Sequence, residues 1–206
     1  MNAPTPNAES SALYQSALTT FGSLLEQART AGDPEATAMT LATVRAGRPH
    51  ARVVLLKGYD AHGFRFFTNY ESAKAGDLAG DPWAALCFHW KTLREGVQVR
   101  IDGRIEKVSA AESDAYFASR PRGSQIGAWA SLQSQPLAAR GEFDTRYAHF
   151  EARFVGAEVP RPPHWGGYLL APDVIEFWYG ANFRLHERQL FRRDAAGVWS
   201  QGMLYP

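Results

Sequence analysis

Three segments of this chain place cationic and hydroxyl side chains among apolar residues, a combination that suits the binding of phosphate groups. The first segment is an apolar run, residues 52–57, with Arg52 at one end and Lys57 at the other. Successive side chains of a strand alternate between its two faces, so positions five residues apart point to opposite faces. Arg52 and Lys57 could therefore bind two different anions, and they are not expected to hold one group together.

The second segment, residues 116–129, combines hydroxyl groups with a guanidinium. Tyr116 and Arg120 are four residues apart, so on a helix they share a face, and a turn at residues 121–123 would bring Ser124 beside them. Two hydroxyls and one guanidinium form a suitable cup for phosphate. The alternative interpretation is a helix C-terminus with a solvated arginine.

The third segment, residues 176–188, joins two predicted strands. Arg184, His186 and Arg188 alternate along the chain, so an extended backbone would place all three on one face, next to Trp178. This cationic row is either an acid–base or redox site, or an edge strand whose charges protect it against aggregation.

Several other kinds of site are excluded by spacing. The chain has no Walker-type phosphate loop and no G-x-G-x-x-G between a strand and a helix. One cysteine and six dispersed histidines provide no ligand pair at zinc-site spacing, so no metal site is expected. The run 123–127 has its serine one place too early for a nucleophile elbow, which argues against hydrolase chemistry.

The composition indicates one globular domain over residues 1–206. Hydrophobic residues make up 45% of the chain and charged residues 21%, which is typical of a protein with a substantial core. The 22 basic and 21 acidic residues nearly cancel, so neither nucleic acid nor a membrane is an expected partner. The single Cys87 excludes an internal disulfide, and its apolar neighbours predict core packing.

No segment resembles a signal peptide, and no apolar run approaches the roughly 20 residues that span a bilayer. The expected location is therefore the cytoplasm.

Hydrophobic periodicity predicts the elements that must position these side chains. A stripe of apolar residues at helical spacing predicts a helix over residues 10–28, after a disordered stretch at residues 1–9. Further helices are predicted at 72–78, 109–119 and 137–154, and Ser109 with Glu112 should form a capping box. Residues 159–167 are expected to form a stiff connector. Strands are predicted at 39–44, 51–59, 64–68, 84–90, 97–107, 165–170, 174–179, 188–193 and 198–201.

Strands predominate, and they follow one another at hairpin spacing without the strand–helix–strand alternation of a parallel sheet. The predicted fold class is therefore mainly β with peripheral helices, a Greek-key barrel rather than a doubly wound α/β fold.

In their order along the chain, these segments closely resemble the pyridoxamine 5'-phosphate oxidase family, from about residue 21 to residue 206. The resemblance rests on the runs 52–57, 67–69, 119–129, 133–134, 177–178 and 184–186. It implies a split β-barrel of FMN-binding type and a homodimer with FMN at the subunit interface, in which residues 160–206 form the dimerisation and active-site region. The implied reaction converts pyridoxamine or pyridoxine 5'-phosphate to pyridoxal 5'-phosphate, with dioxygen as oxidant and hydrogen peroxide as a product.

The resemblance also assigns roles position by position. It implies that Arg52 and Lys74 hold the FMN phosphate and that Trp178 and Arg188 complete the pocket from the partner subunit. Arg184 and His186 are implied to be catalytic and to bind the pyridine ring, positioning the C4' carbon for hydride transfer to flavin N5. The implied substrate-phosphate residues are Lys57, Tyr116, Arg120 and Ser124. The implied cofactor-binding residues are Arg52, Val53, Leu55, Lys57, Phe67, Thr68, Lys74, Gln98, Gln133, Ser134, Trp178 and Arg188.

The chain departs from the usual pattern of this family at several positions. Ala73 stands where an arginine is common, Val97 stands where another cation is common, and Phe67 and Glu187 replace a tyrosine and an aspartate. Losing a bidentate partner weakens phosphate binding. Ala73 and Val97 therefore predict weaker retention of FMN than in typical members.

Two alternative functions remain open from the sequence. One is a related FMN oxidase acting on another reduced ring, such as a phenazine precursor. The other is a non-catalytic module that binds FMN or pyridoxal 5'-phosphate. The complete cup of Lys57, Tyr116, Arg120 and Ser124 argues against the first, because a substrate without phosphate would leave these groups unpaired.

Overall fold

The computed structural model describes residues 8–206 of the chain. Residues 1–7 lie outside the described part, whereas Ala8 and Glu9 already belong to the first helix and not to a disordered stretch. The helices are α1 (Ala8–Thr30), α2 (Ala73–Gly80), α3 (Ala110–Ser119), α4 (Arg122–Ala130) and α5 (Arg140–Arg153). The strands are β1 (Ala38–Arg45), β2 (Arg48–Leu55), β3 (Gly58–Asp60), β4 (Gly63–Asn69), β5 (Trp83–Trp90), β6 (Val97–Lys107), β7 (Trp165–Tyr179), β8 (Glu187–Arg193) and β9 (Trp199–Leu204).

All strand pairs are antiparallel and belong to one sheet, with the order β2-β1-β5-β6-β7-β4-β3 and with β8 and β9 branching from β7. The long strand β7 pairs with β4 through its first half and with β8 through its second half, while β6 accompanies both halves. This arrangement confirms the predicted class, mainly β with peripheral helices.

Strand β7 corrects the prediction of two separate strands at 165–170 and 174–179. The gap between the two predicted strands contains Pro172, which cannot donate a backbone hydrogen bond, but the sheet accommodates this proline at a register shift beside Asp102 and Gly103. A Cβ on Gly103 would lie 2.1 Å from the carbonyl oxygen of Ala171, so glycine permits this close approach. The two halves of β7 therefore remain one continuous strand.

Three further boundaries differ from the prediction. The strand predicted at 51–59 is two strands, β2 and β3, separated at Leu56 and Lys57. The helix predicted at 137–154 begins only at Arg140. Residues 122–130, predicted to begin with a turn, form the helix α4.

The main core lies between α1 and the sheet. The predicted apolar stripe is confirmed, since Ala17, Phe21 and Ala28 are fully buried. The ring of Phe21 contacts Phe64 and Phe88 edge-on, with centroids 5.0 and 5.2 Å apart. Such aromatic pairs add to the hydrophobic stabilisation of burial. Helix α1 is therefore an integral part of the core.

A second, smaller core lies beneath α3 and α4 and includes Phe117, Ile126, Phe154 and Trp165. Helix α3 begins with the predicted capping box, in which the Ser109 hydroxyl accepts from the backbone of Glu112 and the Glu112 carboxylate accepts from the backbone of Ser109. This core fixes the helices that border the cavity of the candidate site.

Cys87 corrects a smaller expectation, because it is half-buried rather than packed in the core. Its position in β5 pairs with Arg100 of β6, on the polar face of the sheet. Partial burial raises the pKa of its thiol. No helix in residues 8–206 is long and apolar enough to cross a membrane.

Candidate functional site

A cavity of about 690 Å³ opens between β2, β4, α2 and the α3–α4 corner. This volume lies within the range of ordinary small-molecule sites. The cavity gathers ten of the residues predicted for the site, although they come from distant parts of the sequence. They are Val53, Leu55, Lys57, Phe67, Thr68, Lys74, Tyr116, Arg120, Ser124 and Gln133.

Arg120 is the most distinctive side chain of this cavity. It follows the last residue of α3, and its guanidinium lies over the ring of Trp165, 4.6 Å from the centroid. Its Nη1 atom is buried and has no hydrogen-bond partner among the described residues. Burial lowers the pKa of Arg120, which shows that the surroundings solvate this cation poorly. A buried donor without a partner is costly, so the position is suited to an anionic ligand.

Aromatic rings form one wall beside Arg120. Phe67 stacks on Tyr116 with centroids 4.0 Å apart and on Trp165 with centroids 5.6 Å apart. The chain can pass behind this stack because residue 167 is glycine: a Cβ there would lie 2.6 Å from both Phe67 and Val108. This aromatic wall orients Tyr116 and packs against the Arg120 guanidinium.

Ser124 reaches the same cavity by a route that differs from the prediction. It lies in the first turn of α4, where its backbone nitrogen donates to the carbonyl of Pro121 at 2.8 Å. Its side chain therefore lies near Arg120 because a second helix starts there. Lys57 lines the same cavity from the loop after β2.

Lys74 forms a second cationic position in the cavity. Its Nζ atom donates to Gln133 Oε1 at 2.9 Å, to Thr68 Oγ1 at 3.1 Å and to Ser72 Oγ at 3.3 Å. All three acceptors are neutral. Burial, and then the charge of Arg52, lower the pKa of Lys74. A half-buried lysine surrounded by neutral acceptors can compensate an anion, and it lies at the start of α2, where the helix dipole also favours negative charge.

Arg52 does not line the cavity, and it belongs to a cluster around Asp77. Its guanidinium donates to Asp77 Oδ2 at 3.2 Å and to Thr43 Oγ1 at 2.7 Å. The side chain of Asp77 is fully buried and also accepts from Arg45 Nε at 2.5 Å, with His50 Nδ1 3.3 Å away. The hydrogen bonds from Thr43 and Arg45 help to hold the pKa of Asp77 below its usual value, against the opposing effect of burial. We call Thr43, Arg45, His50, Arg52 and Asp77 the Asp77 cluster.

A second group of predicted residues lies on a sheet face and lines no part of the cavity. Gln98, Trp178 and Arg188 are directly paired across β6, β7 and β8, so their side chains share one face. Arg188 Nε donates to the buried carboxylate of Glu176 at 2.7 Å, which raises the pKa of Arg188. Glu176 also accepts from Arg100 at 3.3 Å.

Arg184 and His186 lie between β7 and β8 but not in the extended row that was predicted. Residues Asn182–Arg184 form a 3-10 turn, and both Phe183 and Arg184 have left-handed backbone angles, with φ of 56° and 62°. The prediction of one shared face was wrong because this turn interrupts the alternation. Left-handed geometry is unfavourable for side chains other than glycine and often marks functional loops.

His186 has a defined orientation in this group. Its Nδ1 atom accepts a hydrogen bond of 3.1 Å from the backbone of Ala181, and its ring lies 4.5 Å from that of Trp178. A neutral ring that accepts at Nδ1 carries its proton at Nε2. His186 therefore presents a donor on the side away from Ala181.

Ser134 lies close to the cavity without lining it. Its Oγ accepts from the backbone nitrogen of Ala73 at 3.1 Å, and its own backbone is left-handed, with φ of 74°. The structure thus divides the predicted residues into ten that line the cavity, Arg52 and Ser134 near α2, and five on or beside the sheet face.

Three residues that matter for the site were not predicted from the sequence. Trp165 supports Arg120, and its signal was the aromatic residue before Gly166 and Gly167, which was interpreted only as part of a connector and the start of a strand. Asp77 and Glu176 are buried carboxylates that hold arginines. Their partners lie at least 12 residues away along the chain, so no local pattern identifies them.

Comparison with known proteins gives a consistent family match. The family described as pyridoxamine 5'-phosphate oxidase matches residues 25–154, and the pyridoxine 5'-phosphate oxidase C-terminal dimerisation region matches residues 165–206. The pyridoxine/pyridoxamine 5'-phosphate oxidase of Xanthomonas euvesicatoria pv. vesicatoria is 59% identical over 196 residues, covering 94% of this chain and 98% of that protein. The protein of the same name from Myxococcus xanthus is 54% identical over 187 residues, covering 90% of this chain and 89% of that protein.

Solved structures share the fold. The structure of PhzG from Burkholderia lata 383, in complex with tetrahydrophenazine-1-carboxylic acid, superposes with a TM-score of 0.86 at 30% identity and covers 92% of both chains. A pyridoxamine 5'-phosphate oxidase-related, FMN-binding protein from Nostoc punctiforme superposes with a TM-score of 0.72 at 21% identity, covering 91% of this chain and 96% of that one. The second likeness concerns the fold alone.

Proposed function

Because this chain belongs to the pyridoxamine 5'-phosphate oxidase family, we propose that it oxidises pyridoxamine 5'-phosphate or pyridoxine 5'-phosphate to pyridoxal 5'-phosphate. The observation that carries the proposal is the buried Nη1 atom of Arg120, which has no partner among the described residues. A substrate phosphate would satisfy this donor. Lys57, Tyr116 and Ser124 line the same cavity and would supply the other phosphate contacts.

The residues around Lys74 fit the phosphate of FMN. Lys74 lies at the first turn of α2 and contacts only neutral oxygens, so its charge is free to compensate a ligand. Arg52 lies close enough to lower its pKa. Thr68 and Gln133 share the same cavity, and Val53, Leu55 and Phe67 would contact the apolar part of the cofactor. Ser134 would complete this end of the site.

We infer that the site is completed by a second copy of the chain. Gln98, Trp178 and Arg188 form a half-buried row on a sheet face, and they do not line the cavity that holds Arg120 and Lys74. Beside this row, Phe183 and Leu185 are exposed by 94% and 71%. Large apolar side chains at such exposure are typical of contact surfaces. In a homodimer, this row and the loop between β7 and β8 would close over the cavity of the partner subunit.

The protein's contribution to the reaction is binding and orientation. Bound FMN would supply the two-electron redox chemistry, with dioxygen as the final electron acceptor and hydrogen peroxide as its product. The cup around Arg120 would fix the substrate at its phosphate end. Arg184 and His186 would contact the pyridine ring, and the Nε2 proton of His186 provides a donor for a ring substituent. Holding the C4' carbon at reacting distance from the cofactor is the main catalytic effect expected of these residues.

A reduced phenazine-type ring is the competing substrate class, and the likeness to PhzG is the reason to test it. The cup argues for a phosphorylated substrate, because a ligand without phosphate leaves Arg120 Nη1 unpaired.

Turnover of the purified protein tests the proposal. The protein is supplied with FMN and with pyridoxamine 5'-phosphate, and aldehyde, ammonia and hydrogen peroxide are measured; unphosphorylated pyridoxamine is the matched control. We expect product from the phosphorylated amine and at least about a hundredfold lower kcat/KM for the control, because a lost charged hydrogen-bonding group costs this much. Absence of product with FMN bound would contradict the proposal, and equal activity on both amines would contradict the role of the cup.

A further inference from the structure

Arg45 lies beside α2, in direct contact with Ala73 and Asp77. Its Nη2 atom donates to the carbonyl oxygen of Ala73 at 2.8 Å, and its Nε atom donates to Asp77 at 2.5 Å. Ala73 and Asp77 are four residues apart on α2, so they lie on the same side of the helix. The Arg45 guanidinium therefore lies against this side of α2, next to the backbone of Ala73.

We propose that Arg45, fixed by Asp77 at the first turn of α2, is a further cation of the FMN-phosphate site and takes over the role of the missing arginine at position 73. The inference rests on the proposed function, and it revises the expectation that Ala73 weakens FMN retention.

The charges around α2 support this role. Arg45, Arg52 and Lys74 are three cations, and Asp77 is the acid that directly contacts the two arginines. The Asp77 cluster and Lys74 together therefore carry two more positive charges than negative ones. A phosphate monoester carries between about −1.5 and −2 charges near neutral pH, so this excess matches it. Without Arg45, only one excess positive charge would remain.

The geometry of Arg45 leaves donors for a ligand. Asp77 and the Ala73 carbonyl engage its Nε and Nη2 atoms, while Nη1 has no hydrogen-bond partner among the described residues. About half of the side chain is exposed, at 51%, whereas the carboxylate that anchors it is fully buried. A guanidinium held on one edge and open on the other is preorganised for an anion, because little side-chain entropy remains to be lost.

Arg45 differs in this respect from Arg48, three residues further along the same hairpin. Arg48 is exposed and has no side-chain hydrogen bond or ion pair among residues 8–206. Substituting Arg48 removes the same charge from the same hairpin without touching Asp77. It is therefore a matched control for long-range electrostatic effects.

The test measures the dissociation constant of FMN from the full-length apoprotein by flavin fluorescence, for the wild type and for R45Q, R48Q and A73R, and for R45Q combined with A73R. We expect R45Q to weaken FMN binding about five- to twentyfold, R48Q to change it less than about twofold, and the double variant to recover most of the loss. A73R alone should change the wild-type affinity less than about threefold, because Arg45 already compensates the phosphate.

Rescue distinguishes phosphate binding from a structural role, because an arginine at position 73 cannot restore the hydrogen bond that Asp77 receives from Arg45. Unchanged FMN affinity in R45Q, or a loss that A73R does not rescue, would overturn the inference. If R45Q does not fold, A73R alone still tests the inference. A gain in FMN affinity of about tenfold or more in A73R would overturn it, because such a gain would show that the wild-type phosphate site lacks a cation beside residue 73. Wild-type apoprotein that does not bind FMN would overturn both this inference and the proposed function.

Discussion

The cavity and the sheet face differ in how their charged groups are compensated. In the cavity, Arg120 has a buried donor without a partner and Lys74 contacts only neutral oxygens. On the sheet face, Arg188 and Arg100 both contact the buried carboxylate of Glu176. The first region is therefore prepared for an anion that the chain does not contain, whereas in the second region each of these arginines already has a carboxylate partner, and Arg100 also contacts Asp102.

This difference indicates separate duties for the two regions. Unpaired cations in a concave site select phosphorylated ligands, at some cost to the stability of the free protein. A compensated arginine on a sheet face instead offers a rigid surface that can contact a neutral ring system. The proposed site brings both regions together only when two chains associate.

The largest effect is expected from Arg120. Replacing it with alanine should raise KM for pyridoxamine 5'-phosphate by about a hundredfold or more, because a buried charged contact to phosphate is lost, while the free protein should not be destabilised by the loss of an unpaired donor. Steady-state kinetics and thermal unfolding measure both effects.

Arg122 provides the control for Arg120. It donates to the carbonyls of Ala157 and Phe154 and does not line the cavity, so its replacement should lower stability and leave KM nearly unchanged. If KM rises equally in both variants, the distinction between ligand-binding and structural arginines is wrong.

Substitution of Glu176 tests the role of the second region, the sheet face. Replacing it with glutamine leaves Arg100 and Arg188 without their shared carboxylate, and breaking such a buried pair costs about 3–5 kcal/mol of the free energy of unfolding. FMN affinity should fall as well, because Arg188 loses its orientation. Denaturant unfolding and flavin fluorescence check the two results.

The exposed Glu106 lies near the end of β6 on the same sheet, and its change to glutamine should leave both quantities within error. A destabilised E176Q protein that binds FMN normally would show that Glu176 has no part in positioning Arg188.

The pH dependence of FMN binding tests the state of Lys74. Its pKa is below the usual 10.5 in the free protein, so the apoprotein loses this positive charge earlier as the pH rises. FMN affinity should therefore fall as the pH rises, at pH values below the 10.5 at which an ordinary lysine loses its proton. In K74R the cation persists, since arginine keeps its proton to about pH 12 or above, and the alkaline loss should shrink. An identical alkaline profile in K74R would assign the titration to another group.

The effect of Lys74 on the stability of the apoprotein has the opposite dependence on pH. Between its lowered pKa and 10.5, Lys74 binds its proton more weakly in the folded than in the unfolded chain, so its contribution to the stability of the apoprotein rises with pH.

The smallest effect concerns the helix that carries the cup. Replacing Ser109 with alanine removes the capping box of α3 and should cost about 1 kcal/mol of the free energy of unfolding. Because Arg120 is also held by Trp165 at the far end of the helix, kcat and KM should stay close to wild type. A marked rise in KM would mean that the cup depends on the whole of α3.

Much of the fold was predictable because it depends on local patterns. The stripe of α1, the capping box at Ser109 and the bounds of β6 follow from spacing along the chain. Helix α4 was missed because Pro121 and Gly123 favour a turn, whereas burial of Ile126 in one apolar cluster with Phe117 and Trp165 stabilises a helix there. Periodicity also could not show that a bulge at Gly103 lets β7 pass through Pro172.

The cup was predictable for a similar reason, since Tyr116, Arg120 and Ser124 lie within nine residues. The Asp77 cluster was not predictable, because Asp77 meets Thr43 and Arg52 across 34 and 25 residues. The turn at Asn182–Arg184 is held by a local backbone geometry that residue types do not specify.

Complementation between subunits tests most directly whether the cavity and the sheet face of different chains form one site. Arg120→Ala and Arg188→Ala proteins, each nearly inactive alone, are unfolded together, refolded as a mixture and assayed with pyridoxamine 5'-phosphate. If each site takes Arg120 from one chain and Arg188 from the other, a mixed dimer contains one site with both arginines. About a quarter of the wild-type activity should then return, since half of the dimers are mixed and half of their sites are intact. If each chain contained a complete site, no mixed dimer would have an intact one, and the mixture would stay as inactive as its components.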